Sequence, residues 1–90
     1  MAKKDEMRSS YDSFADVLYL SVGQPERSSR TREDARGLLW RVAPDGETKG
    51  VTVLAFHQIW ANRESELARL LSDRFNVPVD TLRSELEATH

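Results

Sequence analysis

The chain has 90 residues, with 13 Lys and Arg against 15 Asp and Glu, a formal charge of -2 and 39% hydrophobic residues. That length holds one domain and excludes two large ones, and zero cysteines exclude disulfides, zinc-thiolate sites and a cysteine nucleophile. Folding at this size hides only about 60% of the surface of the unfolded chain, so a second copy is an expected source of stability.

Residues 1–6 read as a flexible N-terminus, in which Lys3 and Lys4 are followed by no apolar stretch. Later apolar runs are broken by Ser21, Arg41 and His57, so neither a signal peptide nor a membrane span is expected and the chain reads as cytoplasmic. MRSSY at Met7 to Tyr11 and VLYLSV at Val17 to Val22 are predicted strands, joined across DSFAD by a turn that Asp12 and Ser13 can close through their side chains. From Gly23 to Arg36 the chain turns polar and arginine-rich, which predicts a long loop or a charged edge strand around Arg27 to Glu33.

GLLWRV at Gly37 to Val42 and VTVLAF at Val51 to Phe56 form a predicted hairpin across APDGETKG, where Asp45-Gly46 supplies residues tolerant of positive φ. After Trp60 the period changes. Leu67, Leu70, Leu71 and Phe75 lie on one stripe of an amphipathic helix, with Asn62 as a candidate N-cap, Glu64 and Glu66 suiting its first turn and Arg74 its last. Asn76 and Pro78 break it, and a shorter helix to Ala88 carries Val79, Leu82 and Leu86. The prediction is one α+β domain: an antiparallel β-meander of four strands over residues 7–56, five if the polar segment is an edge strand, then a helical hairpin over 61–88 packed on one sheet face.

Both faces of the predicted sheet are largely apolar, and two short helices cover only one. Leu18, Leu20, Trp40, Leu54 and Phe56 are expected beneath the helices. Val17, Tyr19, Leu39, Val51, Val53 and Ala55 are then the candidate interface, and a symmetric homodimer is the expected occupant. Which face takes which role is open to reversal.

The residue types that could carry chemistry all have simpler explanations. Asp12 reads as a turn former and Asp16 as the residue capping strand entry, rather than as a carboxylate pair. Asp45 is a turn residue, and His57 and His90 form no motif. Trp40 alternates with Leu38 and Val42 as core, and Trp60 is expected over the end of the sheet. Arg27, Arg30, Arg32 and Arg36 are interleaved with Glu26, Glu33 and Asp34, which describes a solvated edge rather than a phosphate grip. The tail ARLLSDRFNVPVDTLRSEL has helix-turn-helix-like spacing, but its second helix holds Asp80, Glu85 and Glu87 against Arg83 alone, so nucleic acid is not an expected partner.

Tyr11-Asp12, Ala15-Asp16, Val17-Leu18-Tyr19-Leu20, Glu33-Asp34 before Gly37, Asp45-Gly46 and Gly50-Val51 together give the segment from Tyr11 to about Ile59 a family character. It resembles a small, mostly bacterial family, the domain of unknown function 2283. The resemblance implies a small β-meander followed by a variable C-terminal part, and an antitoxin-like or accessory role, because some members are encoded beside small toxin-like proteins. It brings no catalytic residue, since no activity is established for the family. Trp40-Arg41, where an acidic residue is common, and the helical tail depart from its pattern.

The function expected from the sequence is therefore a non-enzymatic protein-interaction module, homodimeric, with no metal or cofactor, serving as the regulatory partner of a small neighbour-encoded protein. The alternatives are a DNA-binding regulator using the C-terminal helices, or a small-ligand-binding or hydrolytic enzyme, which needs a pocket with converging polar groups.

Overall fold

The computed structural model of the chain describes residues 7–23 and 29–89. The flexible N-terminus expected over residues 1–6, the start of the polar segment and His90 lie outside the described residues. Five strands, β1 (Met7–Asp12), β2 (Val17–Val22), β3 (Arg30–Glu33), β4 (Leu38–Val42) and β5 (Thr48–Leu54), precede three helices, α1 (Phe56–Trp60), α2 (Glu64–Phe75) and α3 (Val79–Thr89). This is the expected α+β arrangement, with β3 as the charged edge strand: all its residues are exposed.

The strand order is β1-β2-β5-β4-β3, with every neighbouring pair antiparallel. A simple meander would place β3 beside β2; instead the chain crosses to the far edge and returns, so β5 enters between β2 and β4. That position suits its sequence, because Val51 and Val53 are buried (2% and 0% exposed) on the central strand of the sheet. The Ala43 to Thr48 connection closes through the Gly46 N–H donating to the Ala43 carbonyl at 2.9 Å and the Ala43 N–H to that of Glu47 at 2.8 Å. Gly46 takes φ 93°, a region that glycine enters without steric cost.

The helices all bury against one side of the sheet. Leu18, Leu20, Leu38, Trp40, Val51 and Val53 from the strands meet Phe56, Trp60, Leu67, Ala68, Leu71, Phe75, Leu82 and Leu86 in one core. Trp40 and Phe75 pack edge to face with ring centroids 6.1 Å apart, and the guanidinium of Arg74 lies 4.6 Å from the Trp40 ring centroid.

Local signals place the helices with two differences from expectation. The segment read as the end of a strand and a boundary, Phe56 to Trp60, is the helix α1, entered through Ala55 in the left-handed region at φ 52°. The N-cap position of helix α2 is Arg63 rather than Asn62 and makes no side-chain cap bond; Arg63 Nε instead donates to Glu66 Oε1 at 2.6 Å. Its end is as expected, with Asn76 at φ 59° and its N–H donating to the Ser72 carbonyl at 2.8 Å. Among the described residues no helix is long and apolar enough to cross a membrane.

Candidate functional site

The acidic residues that carry the family character are used to lock backbone together. Asp12 Oδ1 accepts the N–H groups of Phe14 (3.1 Å) and Ala15 (3.2 Å), which closes the β1–β2 turn as the sequence suggested. Asp16 does something the sequence did not reveal. Its backbone stands at φ 58°, and its carboxylate accepts the Tyr11 hydroxyl (2.6 Å) and the N–H groups of His57 (2.8 Å) and Gln58 (3.2 Å). It therefore caps the first turn of α1 from a distant hairpin, supplying acceptors that the helix lacks, while its own carbonyl accepts the Phe56 N–H at 3.0 Å. Tyr11 also packs edge to face on Phe56, 5.7 Å between ring centroids.

Electrostatics follow the hydrogen bonds. The bond from Tyr11 and those from the His57 and Gln58 backbone hold the Asp16 carboxyl below its ordinary value, and the same bond to Asp16 raises the Tyr11 hydroxyl. Asp34 is a second clasp, absent from the sequence reading as a site. It accepts the N–H groups of Arg36 (2.8 Å) and Leu38 (3.1 Å) and the indole N–H of buried Trp40 (3.1 Å). Burial pushes its carboxyl up, yet the bonds from Trp40, Leu38 and Arg36 and the Arg36 charge outweigh burial, and the net shift is downward. Gly50 belongs to the same family pattern, and a Cβ there would stand 3.0 Å from the Leu20 carbonyl oxygen. These residues have structural tasks, and the two carboxylates of the β1–β2 hairpin do not converge on a common site.

The other candidates scatter. His57 is exposed on α1, Arg30, Arg32 and Arg36 are exposed, and Trp40 is core. Trp60 is buried at the end of α1 with Nε1 unpartnered and the Arg63 guanidinium 4.8 Å from its ring centroid. Beside it runs an open groove of about 520 Å³ lined by Arg36, Arg63, Glu66, Arg69, Leu70 and Val79 among others, in which Arg63 and Glu66 neutralise each other. Among the described residues no group of three His, Asp or Glu side chains stands together as a metal site.

The sheet face opposite the helices is the remaining candidate, and its composition needs correction. Val51 pairs with Leu20 and Trp40, and Val53 with Leu18 and Leu38, so both valines lie on the helix-covered face and cannot belong to the interface proposed from sequence. Leu54 moves the other way, opposite Val17 and 39% exposed. Ala55 is half-buried in the link to α1. The relative register of β5 decides this, and it is set by the turn and by the irregularity at Arg41/Val42, neither of which strand periodicity contains.

Three rows of residues remain on the open face. Asp12, Val17 and Leu54 form one; Ser10, Tyr19, Thr52, Leu39 and Glu33 the second; Arg8, Ser21, Gly50, Arg41 and Thr31 the third. Tyr19 is 44% exposed, and Phe14, in the turn that leads into β2, is fully exposed. Above Gly50 the two arginines, Ser10, Tyr19 and Ser21 border a hollow of about 150 Å³. The surface is thus an apolar centre and end with a cationic row beside it.

No curated protein matches the chain, and no solved structure matches it. The family model described as Protein of unknown function (DUF2283) matches residues 8–56, the span from β1 to the first residue of α1 that contains Asp16, Asp34 and the open sheet face, and the chain belongs to that family.

Proposed function

We propose that the chain is a non-enzymatic protein-interaction module, acting as a homodimer that offers its uncovered sheet face to another small protein, in the manner of an antitoxin-like regulatory partner. The observation that carries this is the placement of Tyr19 and Leu54, exposed by 44% and 39%, beside half-buried Val17 and Leu39 on the one face that the helices leave bare. Phe14 adds a fully exposed ring at the end of the β1–β2 hairpin, on a turn that Asp12 holds in place. Clustered apolar surface of this kind marks an interaction site, and Arg8 and Arg41 favour a partner with an acidic margin beside an apolar contact.

The test compares the tagged wild-type chain with Leu54→Glu as baits in the native cell, followed by mass spectrometry and by thermal melts of both baits. The expected result is a stoichiometric small protein retained by wild type and lost from the variant at an unchanged melting midpoint. Equal retention by both baits, or no stoichiometric protein on wild type, overturns the assignment of this face.

A further inference from the structure

We propose that the hollow above Gly50 is a carboxylate socket, into which the protein partner of the open sheet face inserts an Asp or Glu side chain. This inference rests on the interaction reading above and names the chemistry of its contact. Arg8, Ser21, Gly50 and Arg41 stand side by side across β1, β2, β5 and β4, so two arginines flank two small residues. Neighbouring strands lie about 4.8 Å apart, which separates the two arginine Cα atoms by about 14 Å.

Gly50 makes the floor. A Cβ there would stand 3.0 Å from the Leu20 carbonyl oxygen and 3.5 Å from Arg41 Nη1, so the missing side chain is the space into which the Arg41 guanidinium leans. From the other side Arg8 Nη2 donates to the Gly23 carbonyl at 2.7 Å, which fixes one corner of that guanidinium while the side chain still borders the hollow. Ser10, Tyr19 and Ser21 complete the rim, and each carries a hydroxyl able to donate to an anion.

The charge here is one-sided. No Asp or Glu borders the hollow, and neither arginine forms an ion pair among the described residues. The acids of this face, Asp12 and Glu33, belong to the other two rows. A guanidinium offers a carboxylate two parallel N–H bonds, so a chain of net charge -2 holds on this face a local site for one negative group. Its volume of about 150 Å³ is below the roughly 300 to 1,000 Å³ of small-molecule pockets and suits a single side-chain carboxylate. Tyr19 and Leu39 lie in the adjoining row, and an apolar contact made there shields the ion pairs from water, which makes them stronger than exposed ones.

The test is an amide-resolved NMR titration of the full chain with three probes: an acetylated and amidated Leu-Glu-Leu tripeptide, its Leu-Gln-Leu counterpart, and inorganic phosphate. The expected result is a saturable shift of the Ser21, Gly50 and Arg41 amides with the Glu probe, weakened by salt and at least about tenfold weaker with the Gln probe. Arg41→Gln should weaken the Glu probe by about tenfold or more at an unchanged melting midpoint, and Arg8→Gln gives a second reading on a separate strand. Equal binding of the two tripeptides, or Glu-probe binding that both variants retain, overturns the socket. Phosphate saturating the same amides at lower concentration than the Glu probe overturns the side chain as its occupant. Capture of a small protein by wild type but not by Leu54→Glu, with no tripeptide binding, overturns the socket and keeps the interaction reading. Saturable, Arg41-dependent binding of the Glu probe with no captured protein does the reverse.

Discussion

The Asp16 carboxylate ties together the β1–β2 hairpin and the start of α1. Asp16→Ala, which loses every one of these bonds and keeps the unfavourable left-handed backbone, is expected to lower the denaturation midpoint more than Asp16→Asn, whose amide oxygen still accepts an N–H and whose backbone tolerates that region. Chemical melts of the two variants test the order. The clasp also sets a pH window. Because the Asp16 and Asp34 carboxyls are held below the ordinary 3.8, their contribution is complete above that value and lost as pH falls through the folded-state values. Tyr11 is raised above 10.0, so its contribution is complete below 10.0 and lost as pH rises through the folded value. Melting midpoints across pH should show both limbs, with Tyr11→Phe removing part of the alkaline one and Asp16→Asn part of the acid one. At the second clasp, Asp34→Ala leaves the buried Trp40 indole N–H without its acceptor, an expected cost of about 1 to 3 kcal/mol in urea unfolding.

At the scale of elements, α2 and α3 close the core over the sheet, and the side chains at successive positions of α2 differ in consequence. Leu71 is fully buried whereas Leu70 is only half-buried. Leu71→Ala is expected to cost about 2 to 5 kcal/mol, and Leu70→Ala distinctly less; equal losses in urea unfolding would show that the helix presents a different face. Asn76 ends α2 at φ 59°, so Asn76→Gly should be neutral or stabilising while Asn76→Ala costs about 1 kcal/mol from the left-handed backbone. In α3, Leu82 and Leu86 are buried in the same core.

For the whole molecule, we propose from its charge that nucleic acid is not the partner. The chain carries a net -2, α3 displays Asp80, Glu85 and Glu87 around Arg83, and phosphate neutralisation supplies nearly all nonspecific affinity. An anisotropy titration with duplex DNA at low salt is expected to show no saturable binding; tight, steeply salt-dependent binding would restore the helix-turn-helix reading.

What the sequence determined by itself is what local chemistry controls. Dense β-branched runs specified strands, a 3.6-residue stripe specified α2 and α3, and Asp12, Asp45-Gly46 and Asn76 specified turns and a helix end, because each acts on backbone within a few residues of itself. Tertiary structure alone decided the rest. The order β1-β2-β5-β4-β3 depends on a crossover that no neighbouring residues encode, and the side of the sheet taken by Val51, Val53 and Leu54 depends on register against β2 and β4, where a shift of one residue inverts every side chain. Asp16 could be read from sequence only as a local cap, since its partners His57 and Gln58 lie 41 and 42 residues away. Long-range pairings of this kind form only when the strands and helices are already placed, so their physical cause is the assembled fold.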